Sequence, residues 1–455
     1  MPSTSATAVD LFSATFPGKV TTPDSATEYE AENARPWSQK CCVPAAAYVH
    51  PDTASEVAEA LKIVKGTGCK FAIRTSGHNP NLGFSSIDQT GVVLDLRRLN
   101  SKELVQENIA RLGAGNTWGE VYEWLEKQEL SVIGGRDPTV GLAGFLLGGG
   151  MGAFPNLHGL GTDNIKGFEV VLADGTIVNA NLGSNADLYK ALKGGATNFV
   201  QYTISLYNPE DYIGIIDATV QVQKSMETDP KIGLFTNFNA GFVAVILLYA
   251  DQPTEPIEAF RPFYNLNSIL TVALPTTNGT LLSLAQAMGH DQGPKNRTIG
   301  TVTTKVSQDL YADVYKAWLE ISQTLPEGAV LHHTIQPIGT ACIRAAKNNG
   351  GNIMGLEEIP QCWWVFTCEW IKGACEDSVA EKAVETIVQK AETSAKEKGL
   401  LLDFLAMNFA GAFQKTLRGY GEESVKEMLE TAAKYDADRV FQDLQNNGFL
   451  LWNNV

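Results

Sequence analysis

Arg74-Thr75-Ser76-Gly77-His78-Asn79, followed later by Pro138-Thr139-Val140-Gly141 and the run Gly148-Gly149-Gly150, is the part of this sequence that decides how the rest is read. Glycine lacks a Cβ, so loops rich in it take φ > 0 turns and let peptide N–H groups approach an anion closely. Two such loops suit a long ligand with a pyrophosphate. The arginine of the first adds charge, and its histidine is a ring to which a ligand can be bonded. A lone glycine cluster is often only a tight turn. Paired clusters, with further glycines at Gly194-Gly195, argue for a cradle. Neither loop is a G-x-G-x-x-G between strand and helix, and no G-x-x-x-x-G-K-[ST] occurs, which disfavours the common nicotinamide and nucleotide-triphosphatase sites.

Around the first loop the signals are those of an α+β lobe. Thr53 caps a helix in which Val57, Leu61 and Val64 recur at helical spacing until Gly66 and Gly68 end it. Phe71 to Arg74 reads as a strand that delivers its end into the Gly77-His78 loop, with further strands at Gly91–Leu96 and Ala110–Gly115. Thr117 caps a second helix. Lys166 to Val178 reads as a hairpin turning at Asp174-Gly175. Beyond Tyr207-Asn208-Pro209 the texture changes to aromatic strands (Val243–Tyr249, Trp363–Trp370) alternating with amphipathic helices (Asp309–Thr324, Ser378–Lys396). The last fifty or so residues return to the earlier style. This order implies a cofactor lobe split in sequence, 1–208 and 405–455, around a substrate lobe, 209–404.

Composition narrows the function classes. A chain of 455 residues suits two lobes, since single cores stop growing at about 250 to 300 residues. A net charge of −16 without a basic patch opposes nucleic acid and anionic membranes and points to small-molecule partners. No apolar stretch approaches the ~18 residues of a membrane span. The N-terminus lacks the basic and apolar regions of a secretory signal, so a cytoplasmic enzyme is expected. The seven cysteines have no metal-site spacing and read as buried free thiols. No metal is expected.

These residues resemble the flavoproteins of the vanillyl-alcohol oxidase type, particularly the berberine-bridge-enzyme-like and fungal FAD-linked oxidoreductases with a PCMH-type FAD-binding domain. R-T-S-G-H is similar to that family's R-S-G-G-H. Gly159-Leu160-Gly161-Thr162-Asp163-Asn164, Gly194 to Val200, and Asp436-Ala437-Asp438 followed by Phe441-Gln442 match further motifs in the same order, and Ile335-Gln336-Pro337 also looks familiar. The resemblance covers nearly the whole chain. It implies a two-lobed α+β fold, with an FAD-binding domain and an α/β substrate domain built on an antiparallel sheet. It implies FAD contacts at Arg74, Thr75, Ser76, Gly77, His78, Asn79, Gly83, Pro138, Thr139, Val140, Gly141, Gly144, Gly148, Gly149, Gly150, Gly152, His158, Asn164, Ile165, Val170 and Asn408. His78 is the position bonded to the flavin. Asp137 stands where many relatives carry a second, cysteinyl link, so a single covalent bond is expected. Val140 matches the oxygen-gating position, where a valine implies access for dioxygen. Asn408 lies in Ala406-Met407-Asn408-Phe409, where relatives read Y-x-N-Y, so both tyrosines of that motif are missing.

The expected activity is an FAD-dependent oxidase that takes a hydride from a small apolar or aromatic metabolite and passes it to dioxygen, in fungal secondary metabolism. The alternative is an FAD-bound cyclase with little net redox chemistry. The base is open among Glu369, His332, Tyr202, His333 and Tyr420, with Glu369 expected to carry a raised pKa in apolar surroundings. On the strand Val330–Gln336 only one of His332 and His333 can face the substrate. His158 is as well explained by a structural role, and Asp137 by capping neighbouring N–H groups.

Overall fold

The computed structural model describes residues 4–106, 108–190, 199–289 and 292–455; Gly194 and Gly195 lie outside them. The N-terminal lobe holds a small sheet. Strands β1 (Val20–Thr21), β2 (Ala47–Val49), β3 (Lys70–Arg74) and β4 (Gly91–Asp95) run in the order β1-β2-β4-β3, with β2, β4 and β3 parallel. The helix Ala54–Thr67 covers it, burying Ala60, Leu61 and Val64. It begins where Thr53 accepts from the Glu56 N–H and ends at Gly68 with φ 67°. The C-terminal segment pairs along β3: Phe71 N donates to Leu444 O at 3.1 Å, and Asn446 N to Phe71 O at 2.7 Å. Two hairpins follow, β5 (Lys102–Gln106) with β6 (Ile109–Leu112) and β7 (Phe168–Val171) with β8 (Ile177–Ala180). The second turns at Gly175, φ 83°.

The middle lobe is one antiparallel sheet of eight strands. They are β9 (Phe199–Tyr207), β10 (Ile232–Phe238), β11 (Val243–Tyr249), β12 (Ile269–Thr280), β13 (Asn296–Lys305), β14 (Ala329–Ile338), β15 (Gln361–Trp370) and β16 (Leu401–Leu402), in the order β12-β9-β11-β10-β14-β15-β13-β16. Because β9 pairs with both β11 and β12, this sheet starts before the residue-208 boundary. Side chains alternate across it. Trp364, Phe366, Cys368 and Trp370 of β15 join the core under the helices Tyr212–Ser225, Gln308–Ser322 and Asp377–Glu397, while Val365, Thr367 and Glu369 face the opposite way, into a cavity.

His333 lies on the helix side, fully buried. Its ring stacks on Phe238 (centroids 4.6 Å apart, 7° between planes) with Trp318, Trp364 and Phe366 around it. Neither ring nitrogen has a hydrogen-bond partner among the described residues. Burial, with His332 adding to it, pushes its pKa down to about 3, so the folded protein holds it neutral. In the unfolded chain it titrates near 6.5. The folded state is therefore favoured fully above pH ~6.5 and loses ground as pH falls toward the folded value.

His333→Phe removes that dependence. At pH 5 it should be more stable than the parent by about 2 kcal/mol relative to the difference between the two at pH 7. Thermal melts of both proteins between pH 7 and 4 check this; parallel losses would show that His333 is not the titrating group.

Candidate functional site

The two lobes enclose a cavity of about 2630 Å³. That is several times what a drug-sized ligand fills. One wall is the loops of the N-terminal lobe, with Thr75, Ser76, Gly77, His78, Asn79, Val140, Gly141, Gly144, Gly148, Asn164, Ile165, Val170 and Asn408. The other is the open face of the large sheet.

The loops are held in contact with each other. A Cβ on Gly141 would stand 2.7 Å from Ser76 Oγ and 2.8 Å from Thr75 Oγ1, so the approach needs glycine. The peptide N–H groups of Ser76, Gly77 and Asn79 have no acceptor among the described residues, although the loop borders the cavity. Buried N–H groups are rarely left in that state. They can donate to an anion placed in the cavity. His78 stacks on Trp37 (4.3 Å, 14°), and the Arg297 guanidinium lies 4.1 Å over the same indole. Arg297 Nη1 also donates to the Trp37 carbonyl, and the Arg297 N–H to Ser38 Oγ at 2.9 Å. The histidine wall of one lobe is thus tied to β13 of the other.

Several residues expected at the ligand are engaged with the protein itself. Arg74 points away from the cavity, into a buried network: Nη2 meets Glu32 Oε2 and Nε meets Asp95 Oδ2, each at 2.6 Å, with Arg97 bonded to both carboxylates. Glu32, His50 and Asp95 converge as metal ligands would, but the two arginines take the carboxylates. Gly83 (φ 84°) packs on Asn446 and Asn447. Gly149 and Gly150 (φ 99° and 77°) form a turn against Met354 and Phe145, and Gly152 packs on Ile133. Pro138 packs against Gly119, and Thr139 is occupied with Asp137, whose Oδ1 accepts from its N–H and hydroxyl at 2.8 and 2.6 Å. Arg74, Gly83, Pro138, Thr139, Gly149, Gly150 and Gly152 do not line the cavity, and neither does His158, whose pKa burial pushes down to about 4. Asn408 borders it, but its amide is used: Oδ1 accepts from Gly150 N at 2.9 Å and Nδ2 donates to Gly144 O at 3.1 Å.

On the sheet face, β14 presents His332, Thr334 and Gln336, β10 presents Phe235 and Asn237, and β15 presents Val365, Thr367 and Glu369. Asn237 Nδ2 lies 2.7 Å from Thr334 Oγ1 and 3.3 Å from His332 Nδ1. Glu369 faces the cavity, yet its pKa is not raised. Burial pushes it up, but the hydrogen bond and charge of Arg297 (2.8 Å) outweigh this, with His332 and Lys295 (3.2 Å) adding to them, so the carboxyl lies below its ordinary range. An ionised, doubly paired carboxylate is a poor proton acceptor. Tyr202 shares a strand face with Ile204, but the helix Leu281–Met288 covers it and its hydroxyl bonds Ser283 Oγ at 3.0 Å. Tyr420 is buried against Phe404 outside the cavity. Trp37, Arg297 and Asn237 escaped the sequence reading. Strand parity alone would have placed Thr334 and Gln336 beside His332.

A family model described as an FAD binding domain matches residues 45–181. An FAD-dependent monooxygenase of Arthrobotrys oligospora is 35% identical over 430 residues, covering 91% of this chain and 84% of that protein. A bifunctional solanapyrone synthase of Alternaria solani is 32% identical over 440 residues, covering 90% of this chain and 82% of that protein. Among solved structures, the glucooligosaccharide oxidase of Acremonium strictum, described as carrying 6-S-cysteinyl, 8α-N1-histidyl FAD, superposes with a TM-score of 0.79. It is 18% identical and covers 98% of this chain and 99% of that one. The cavity fits FAD on its own terms: unsatisfied loop amides for phosphate oxygens, an imidazole on the wall, and room left for a second molecule.

Glu369→Gln leaves the fully buried Arg297 without its carboxylate, which should destabilise the protein by about 3–5 kcal/mol. Adding Arg297→Gln should recover part of that loss. The unfolding midpoint checks both, and a single variant as stable as the parent would contradict the supporting role given to Glu369.

Proposed function

We propose a function from the premise that this chain belongs to the FAD-linked oxidoreductases of the vanillyl-alcohol oxidase and berberine-bridge-enzyme-like type, and is an FAD-dependent enzyme. The proposed reaction is oxidation of a small, largely apolar or aromatic metabolite, of the kind made in fungal secondary metabolism, with dioxygen as final acceptor. The observation that carries it is the continuity of one cavity from the amide-lined loops to the sheet face. FAD, held by the loops, would supply the two-electron acceptor, with dioxygen as the final oxidant and hydrogen peroxide as the by-product. The chain itself supplies position and a place for the proton.

Ile204, Phe235, Ala244, Ile246 and Val365 give the substrate an apolar floor and exclude water. His332 is the group assigned to the departing proton. It faces the cavity beside Asn237, and an imidazole ordinarily titrates closest to neutrality. Glu369, held ionised by Arg297, favours positive charge on that ring from nearby. Val140 borders the cavity, and the access for dioxygen that the family resemblance implies for a valine there is part of the proposal. A single bond through His78 is proposed, with Asp137 in place of a second, cysteinyl link. A cytoplasmic location is part of the same proposal.

A second reading is ring closure with little net redox change. Two observations favour it: the residues around Asn408 include no tyrosine to act as a phenolate base, and one relative is named a bifunctional synthase.

Candidate metabolites mixed anaerobically with the yellow protein should bleach the flavin band, and on admission of air should yield one hydrogen peroxide per product. His332→Gln should slow the bleaching about 10²-fold or more. Product formed with an unchanged flavin spectrum and no peroxide would select the cyclase. Flavin colour should stay with acid-precipitated protein and be lost in His78→Ala; colour retained by that variant would place the bond elsewhere.

A further inference from the structure

We propose that Arg136 and Gln336 form an anion-binding subsite in the sheet half of the cleft, where the substrate docks a carboxylate or the oxygen pair of an acidic enol. The proposal deepens the reading above and rests on it, since it requires that the cleft hold both FAD and a substrate.

Arg136 enters the cavity from the loop before Pro138 and lies on the sheet. Its guanidinium stacks 3.9 Å over the Phe235 ring, and Nη2 donates to Gln336 Oε1 at 2.6 Å. No carboxylate of the described residues comes within ion-pair distance of it. Two other interior arginines are paired with carboxylates. Arg74 has Glu32 and Asp95, and Arg297 has Glu369. A guanidinium offers five N–H donors, and among the described residues one of those on Arg136 has an acceptor. Burial pushes its pKa down to about 9, which still leaves it charged at neutral pH.

Gln336 adds a second donor beside Arg136. It is 2% exposed and lines the cavity, and its Nε2 is buried with no partner among the described residues. With Oε1 committed to Arg136, what the amide turns toward a ligand is its donor. Two groups in contact therefore turn N–H donors toward the cavity, beside the apolar Phe235, Ile246 and Ala244 and with Thr334 and Asn237 further along the same face. Buried donors of this kind are ordinarily satisfied, and a charged one left alone is costly. A pair of anionic oxygens completes both, in the fork geometry that arginine favours.

The same positive charge could instead serve the flavin ring, so the test reads both. The flavin-loaded protein is titrated with benzoate and with its neutral isostere benzamide, followed by the flavin absorption band, and its midpoint potential is measured separately. Benzoate should bind about tenfold tighter or more. Arg136→Gln should abolish the preference while flavin content and potential stay as in the parent. Gln336→Glu, which sets a carboxylate against the guanidinium, should abolish it too, and serves if the first variant does not fold. Equal binding of the two probes, no binding of benzoate, or a preference that survives either variant overturns the proposal. A potential that falls in Arg136→Gln while the preference persists assigns the charge to the flavin. Protein that takes up no flavin removes the FAD reading itself, an outcome distinct from a loaded protein that ignores the anion.

Discussion

Arg74 ends β3 where the chain leaves the parallel sheet for its first glycine loop, and its guanidinium is gripped by Glu32 and Asp95 while the ring of Tyr48 lies 5.0 Å from it. Asp95 ends the neighbouring strand, paired in register with Arg74. The loop therefore departs from a point fixed by charge as well as by the ladder. This matters because the peptide N–H groups of Ser76, Gly77 and Asn79 have no acceptor among the described residues, although Gly77 O accepts from the Trp37 N–H at 3.1 Å. A segment that keeps its donors for a ligand cannot be stabilised by them, so its geometry must come from what flanks it. Breaking one member of such a buried network leaves an uncompensated charge, at a cost of about 3–5 kcal/mol.

The second loop meets the same constraint from the far end of the chain. Asn408 spans Gly144 and Gly150, fixing a glycine run that would otherwise have many conformations. Across the cleft, Trp37 sits between His78 and Arg297, and Arg297 carries Glu369 with it. The wall that holds the histidine and the wall that faces the substrate are thus joined by stacked rings and an ion pair. A split chain suits this design, since N-terminal arm, middle sheet and C-terminal return each contribute to a single cavity.

Much of this was legible in the sequence because it is local. Thr53 and Thr117 cap the helices they were expected to cap, Asp174-Gly175 turns a hairpin, and strand parity separates His332 from His333. What could not be read was tertiary. An arginine next to a glycine loop looks like a phosphate ligand, and nothing local to Arg74 announces that Glu32 and Asp95 will enclose it. Glu369 was expected among apolar groups because its strand neighbours are apolar, but its partner Arg297 comes from β13, some seventy residues earlier. Tyr202 has the right parity, and is disqualified by a helix laid over its end of the face.

Two kinds of unsatisfied buried polar atom occur in the sheet's two faces, and their surroundings give them opposite meanings. His333 is caged by Phe238, Trp318, Trp364 and Phe366, with no space beside it. No ligand can reach it, so its lost hydrogen bonds are a plain cost to stability, set against aromatic packing. Gln336 lies three residues further along the same strand, facing the other way, and its amide nitrogen, unpaired among the described residues, opens on a cavity beside a cation that has no carboxylate partner among them. There the cost persists only until a ligand arrives. Strand alternation puts a fold-determining residue and a ligand-determining one in the same short segment, and what tells them apart is whether empty space adjoins the unpaired atom.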